Sequence, residues 1–287
     1  MESKIGQQKV SKDRRSIIFV FAVTLTVSFI FWLYPEIPKV WQKITRPLVI
    51  GNFVFQKKFD QAPVLGEIKN LTAGLQGAYG VYGRQLADGQ DFGSNQNEVF
   101  PAASLMKLPA MLTLYQEAEA GRLNLDDQPT GSAYSYRQLA QRMGQYSDNN
   151  ANAALVKALG TTKIQQTINR LGMGKTSFKD YETTPADIGL FFKKLYQDNL
   201  VSQAHREEIF GFLTKSIFED WLPGGIPVGT RVVHKIGKDL GTFSDGGIVL
   251  GQKAFILVIM SKFARESEAI KVLPQISKAV WEFENKP

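Results

Sequence analysis

From Ser16 to Tyr34 the chain runs SIIFVFAVTLTVSFIFWLY without a charge, whereas beyond about residue 60 the apolar positions come in short periodic groups separated by breaks. The first pattern predicts a helix that, at about 1.5 Å per residue, matches the hydrocarbon core of a bilayer. The second predicts a folded domain. Pro63 followed by Leu65, Ile68 and Leu71 predicts a short helix with proline in its first turn. Ala78 to Gly83, the turn residues Ala87-Asp88-Gly89-Gln90 and a return strand predict a β-hairpin. Leu105, Leu108, Leu112 and Tyr115 then recur at helical spacing up to Gly121. Further helices are expected from Ser135, from Asp148/Asn149 to Gly160, from about Thr162 to Leu171, and from Thr184. In the last, Asp187 completes a capping box, Pro185 takes the first helical position, and Ile188, Phe191, Phe192 and Leu195 form the apolar face. Extended segments follow at Arg231–Lys235, Gly246–Leu250 and Ala254–Met260, and a terminal helix bears Ile270, Leu273, Ile276, Val280 and Phe283. Strands at both ends around a run of helices predict an α+β fold. One antiparallel sheet is completed by the two chain ends and flanked by terminal helices, with a helical lobe beside it.

Charge adds an orientation. Residues 1–34 carry five Lys/Arg against two acids, residues 35–76 six against three, and residues 77–287 23 against 22. The net charge of +7 therefore lives beside the apolar segment, and the nearly neutral remainder argues against a nucleic-acid partner. Lys4, Lys9, Lys12, Arg14 and Arg15 stay cytoplasmic by the positive-inside rule. Residues 1–15 read as a basic cytoplasmic tail, 16–34 as a transmembrane anchor, 35–58 (with Pro35, Pro38 and Pro47) as a membrane-proximal spacer, and 59–287 as an extracytoplasmic domain in the periplasm or at the cell surface. A cleaved signal peptide is the alternative. Its apolar core would span about 7–15 residues and end at small residues, which Trp32-Leu33-Tyr34-Pro35 does not supply.

The chain has no cysteine and two histidines among 287 residues. Disulfides, thiolate catalysis and cysteine-ligated metals are excluded, and little is left for any metal site. Neither a metal nor an organic cofactor is expected. Chemistry must use hydroxyls, amines, carboxylates and amides.

Three short motifs supply such groups. Ser104-Leu105-Met106-Lys107 places a hydroxyl and an amine on one face at a helix start, where backbone N–H groups favour a developing oxyanion. Ser147-Asp148-Asn149 lies between two helices, and Lys235-Ile236-Gly237 on a strand. Taken singly, each reads equally as ordinary structure: a helix-start serine with a surface lysine, a capping turn, an edge-strand lysine. A Ser-His-acid triad fits poorly, since His234 should face away from Lys235 on the same strand and His205 sits in a charged helical stretch.

In this order the motifs resemble the active-site set of the penicillin-recognising serine hydrolases, specifically the class A β-lactamase family. The resemblance spans about residues 60–287. It includes Phe100-Pro101-Ala102-Ala103 before Ser104, Asn152-Ala153-Ala154-Leu155, Thr183-Thr184-Pro185-Ala186-Asp187, Leu222-Pro223, and Gly246-Gly247-Ile248-Val249. It implies the β-lactamase/transpeptidase-like fold and an acyl-enzyme on Ser104, with Lys107 as base or proton relay. Ser147, helped by Lys235, would pass a proton to the leaving nitrogen. Asn149 would hold the substrate amide, Asp148 would order the turn, and the N–H groups of Ser104 and of Lys238, after Gly237, would form the oxyanion hole.

Two departures qualify what the resemblance implies. Ile236 stands where the family carries a hydroxyl residue that helps hold the substrate carboxylate, and a hydrogen bond to a charged group is worth about 1.5–3 kcal/mol. The segment Gly172 to Glu182 is also too short for the family's loop, and it lacks the E-x-x-L-N glutamate that positions the deacylating water. Three functions follow: slow or ordinary β-lactam hydrolysis, a penicillin-binding-protein-like DD-peptidase acting on peptidoglycan stem peptides, or a catalytically silent binding domain.

Overall fold

The run Phe255 to Met260 is apolar at every position because both of its faces are covered. In the computed structural model, which describes residues 59–286, it forms the central strand of a five-stranded sheet. The chain divides into two units, residues 1–58 and 59–287. The basic tail, the expected anchor and the spacer lie outside the described residues. Among the described residues no helix is long and apolar enough to cross a membrane.

The elements in order are α1 (Ala62–Thr72), β1 (Ala78–Gln85), β2 (Asp91–Ser94), β3 (Phe100–Pro101), α2 (Lys107–Glu119), α3 (Tyr136–Gln145), α4 (Asn149–Leu159) and α5 (Thr161–Arg170). Then come β4 (Glu182–Thr183), α6 (Pro185–Gln197), α7 (Gln203–Thr214), β5 (Arg231–Asp239), β6 (Thr242–Leu250), β7 (Phe255–Lys262) and α8 (Glu266–Glu284). Short 3-10 turns precede α2 (Ala103–Met106) and β5 (Pro223–Gly225). The sheet order is β2-β1-β7-β6-β5, antiparallel throughout, so both ends of the domain build one sheet and β5 is an edge. The small pair β3–β4 joins Phe100 to Thr183.

Alternation along the strands sorts the core into two layers. Leu257 and Ile259 face α1 and α8, with Val64, Ile68, Leu273 and Ile276. Ile256, Val258 and Met260 face the helical lobe, with Leu105, Ile188, Phe191 and Phe192. Each such fully buried side chain contributes about 1.5–3 kcal/mol. The expected helices and strands are present, with local differences. In α8 the buried stripe is Ala269, Val272, Leu273, Ile276 and Val280, while Ile270 is 40% exposed. In α6, Thr184 accepts the N–H of Asp187, but the Asp187 carboxylate does not complete the box. It accepts instead from the Lys175 N–H at 2.9 Å and the Thr176 hydroxyl at 2.8 Å.

That second use of Asp187 pins the short segment between α5 and β4. Thr176 also shares a hydrogen bond of 2.7 Å with Thr183, the Phe178 N–H donates to Gln165 Oε1 at 2.7 Å, and Ser177 pairs with Glu182. The truncated loop is thus a tied turn lying against β3.

Candidate active site

Ser104 enters the site because the chain before α2 is bent sharply. Ala103 has φ +46°, a left-handed conformation that costs a residue with a Cβ, and Ser147 (φ +54°) and Tyr181 (φ +56°) share it. Three of the five non-glycine residues of this kind among the described residues therefore surround one spot. The Tyr181 carbonyl accepts the Ala102 N–H at 2.7 Å, fixing the bend against the tied loop. Ser104 is the second residue of its 3-10 turn, so its N–H has no acceptor within that turn.

Lys107, one helical turn on, is buried and its amine reaches back across the site. Nζ donates to Ser104 Oγ (3.0 Å), Asn149 Oδ1 (2.7 Å) and the Ser147 carbonyl (2.5 Å), with Ser147 Oγ at 3.3 Å. Ser147 Oγ also accepts from Lys235 Nζ at 2.8 Å, so one hydroxyl lies between two amines. Burial lowers Lys107 to about 8 despite the Asp148 charge. Burial and then the charge of Lys107 lower Lys235 to about 7, against the upward pull of Asp245. Asp148 caps α4 through the N–H groups of Asn150 and Ala151 and pairs with Arg142, which orders the turn that presents Ser147 and Asn149. Arg142 carries no motif and escaped the sequence reading.

β5 approaches this bend closely. A Cβ on Gly237 would lie 2.9 Å from the Ala102 carbonyl oxygen, so only glycine allows the strand to lie flush there. On β6, the Phe243 N–H donates to Ser261 Oγ and the Phe243 carbonyl accepts from the same hydroxyl, so both groups face β7. Lys238, opposite Phe243, then belongs to a non-hydrogen-bonded pair, and its N–H points off the free edge. The same alternation turns the Ile236 carbonyl outward, where Lys235 Nζ donates to it at 3.0 Å.

The structure therefore brings together the side chains of Ser104, Lys107, Ser147, Asn149 and Lys235 and the backbone of Ile236, Gly237 and Lys238. It does not bring the Ile236 side chain there. That side chain is 3% exposed in the layer facing α8, because its neighbour Lys235 occupies the site face. The Lys238 side chain likewise turns away, to Glu266 at 2.6 Å. His234 faces away from Lys235, as its position predicts, and His205 pairs with Glu119.

Glu182 is exposed beside Pro101 and Asp180 is exposed at the loop tip, where it accepts from the Ser177 hydroxyl. Among the described residues, no carboxylate is hydrogen-bonded to Ser104, Lys107, Ser147, Asn149 or Lys235, and no cluster of three His, Asp or Glu side chains is arranged to hold a metal ion.

Comparison with known proteins agrees with this arrangement. A family model described as the beta-lactamase enzyme family matches residues 64–283. The chain is 26% identical over 216 residues to an imipenem-hydrolyzing beta-lactamase of Enterobacter cloacae, covering 63% of this chain and 71% of that protein. Among solved structures, PBP-A superposes with a TM-score of 0.71 at 22% identity, covering 77% of this chain and 95% of that one. A mutant of PBP-A, solved as its acyl-enzyme complex with penicillin G, superposes at 0.71 with 21% identity, covering 78% and 96%. The TLA-1 extended-spectrum beta-lactamase superposes at 0.72 with 19% identity, covering 79% and 99%. With three quarters of its length inside one family model and the two amines and two hydroxyls converging as that chemistry requires, the chain belongs to the beta-lactamase enzyme family and is a serine hydrolase of the class A β-lactamase type.

Proposed function

We propose that the chain is a membrane-anchored extracytoplasmic hydrolase that acylates Ser104 with β-lactams and releases the product slowly. The observation that carries this reading is the pairing of a complete proton path, Ser104–Lys107–Ser147–Lys235, with the lack, among the described residues, of a carboxylate bonded to it. Uncharged Lys107 accepts the Ser104 proton as Oγ attacks the lactam carbonyl carbon. The tetrahedral oxygen takes up the N–H groups of Ser104 and Lys238. When the C–N bond breaks, Ser147 gives its proton to the nitrogen and regains one from Lys235. The substrate carboxylate lies beside Ser147 Oγ and Lys235 Nζ. Because the Ile236 side chain faces the core, the missing hydroxyl removes one contact without placing an apolar group in the site.

Attack of water on the ester needs a base at the water. General-base assistance is worth about 10²–10⁴-fold, so release is slowed by that order. A DD-peptidase activity on peptidoglycan stem peptides is the second reading. The outward Ile236 carbonyl and Lys238 N–H favour it, because they can pair with an extended peptide along the strand edge. Intact-mass measurement of the full-length chain with penicillin, with Ser104→Ala as control, separates the cases. A persistent adduct on the wild type alone is expected. Rapid return to free mass with loss of drug would replace slow release by efficient turnover. D-alanine released from a stem peptide would establish the second reading whether or not the adduct persists, since a penicillin-binding DD-peptidase is itself acylated by the drug.

A further inference from the structure

Behind the strand that carries Lys235 lies a charged cluster that this chemistry leaves unused. His234 and Asp245 are fully buried. Nδ1 of His234 is 2.9 and 3.1 Å from the two Asp245 oxygens, and Nε2 is 3.6 Å from Glu219 Oε1, which belongs to a half-exposed residue. Asp245 also accepts the Leu222 N–H at 3.0 Å, and the Leu222 carbonyl accepts from Ser277 of α8 at 2.6 Å. Strands β5 and β6, the Glu219–Leu222 segment and α8 thus meet around one carboxylate. From α7 the acid facing β5 is Glu207, which pairs with Arg231 at the strand's exposed start. Burial works against a charged imidazole, but Asp245 and then Glu219 outweigh it and hold His234 at about 9.

Asp245 stands opposite Ile236 in the β5–β6 register, next to Lys235 and across the sheet from its amine. We infer that His234 is a positioning residue for the amine pair: as the imidazolium it cancels the Asp245 charge, so that Lys235 can give and regain its proton instead of being held as the ammonium. An uncompensated Asp245 would favour the charged form of Lys235, since an opposite charge nearby always raises an amine. A proton donor works best when its own titration lies near the working pH. The role rests on the proposed proton path through Ser147, but its physical content is the charge of Lys235, which can be read directly.

The test is a ¹³C NMR titration of the lysine ε-carbons in the full-length chain in detergent, with Lys235 assigned by the resonance lost in Lys235→Arg. Penicillin acylation is followed by mass over the same pH range. His234→Asn keeps an N–H toward Asp245 without the charge and should raise the Lys235 midpoint by about one unit. Asp245→Asn removes the charge that holds the imidazolium, so the buried His234 goes neutral with it and the Lys235 midpoint should stay near the wild-type value, as it should in the double variant. In the wild type the Lys235 resonance should show a second, smaller inflection where His234 loses its proton. Glu219→Gln, which alters a half-exposed residue, should move that inflection to lower pH. An unchanged midpoint in His234→Asn, a double variant that keeps the raised midpoint of His234→Asn, or no second inflection in the wild type would overturn the inference. If the buried variants do not fold, the wild-type and Glu219→Gln curves decide it alone. Midpoints that move as expected without any penicillin adduct would overturn the substrate reading and leave this one standing.

Discussion

Lys107 carries the tightest set of constraints of any single residue here. Its amine faces four acceptors with at most three hydrogens, and as a base it must give up one of those. With the base Lys107 held down to about 8 and the donor Lys235 to about 7, the acylation rate should pass through a maximum between about pH 7 and 8 and fall on either side. Lys107→Met should lower that rate by about 10²–10⁴-fold across the range, measured by stopped-flow with a chromogenic β-lactam. Glu284 is a residue with a different use of burial. It is 4% exposed near the chain end and accepts from Gln85 at 3.1 Å, while its Oε1 has no partner among the described residues. Burial raises its carboxyl to about 7, so the folded state binds that proton more tightly than the unfolded chain does. Its contribution is complete below the ordinary value of 4.5 and is lost as pH rises through about 7. Glu284→Gln should therefore leave urea stability unchanged at pH 4 and raise it by about 3 kcal/mol at pH 8. At this scale the sequence exposes what its motifs name: Ser104, Lys107, Ser147, Asn149 and Lys235 do meet. It hides contacts with no local signature, such as the Tyr181 carbonyl on Ala102 or His234 on Asp245. The side chain of Ile236, expected at the substrate carboxylate, was misplaced, although the alternation that turns His234 from the site turns Ile236 with it.

Among the elements, the meeting of β5 with the 3-10 turn sets the oxyanion geometry. Gly237→Ala would bring a Cβ to 2.9 Å from the Ala102 carbonyl and 3.3 Å from Leu105 Cγ, with backbone on one side of the clash. The strand must retreat and carry the Lys238 N–H with it. Loss of one oxyanion donor is worth about 10²–10³-fold, so the variant should fold and acylate about two orders of magnitude more slowly in the same stopped-flow assay. The tied loop before β4 is held by Asp187, and Asp187→Ala should cost about 1–3 kcal/mol in denaturant unfolding, because the Lys175 N–H and Thr176 hydroxyl lose a charged acceptor. Helix positions were legible from caps and periodicity. Ser135, for instance, forms a full capping box with Gln138. The misplacement of Ile270 has a physical origin: the helix rotates so that Ala269 and Val272 meet the sheet, and a small alanine carries too weak an apolar signal to mark the face. The tied loop was illegible as order because its bonds come from Gln165, Thr183 and Asp187, residues on other elements.

On the scale of the whole molecule, the proposed anchoring predicts that the full-length chain sediments with membranes through high-salt and carbonate washes, and that deleting residues 1–58 releases it; a full-length chain in the soluble fraction would sink the proposal. The sheet has a further consequence, in time rather than space. β1 pairs along its whole length with β7, Ala78 opposite Lys262 and Gln85 opposite Phe255. The helical lobe lies between them in the chain, so it is synthesised while the N-terminal hairpin still lacks its neighbour. Contacts this distant in sequence close slowly and leave a strand edge open until the end. A nascent chain halted before Phe255 has no seat for β1 and no central strand for either layer of the core. Premature termination anywhere before Phe255, even with almost nine tenths of the chain made, should therefore give a product fit for proteolysis rather than a weakened enzyme, and the hairpin is the segment a chaperone would have to shield while the ribosome finishes.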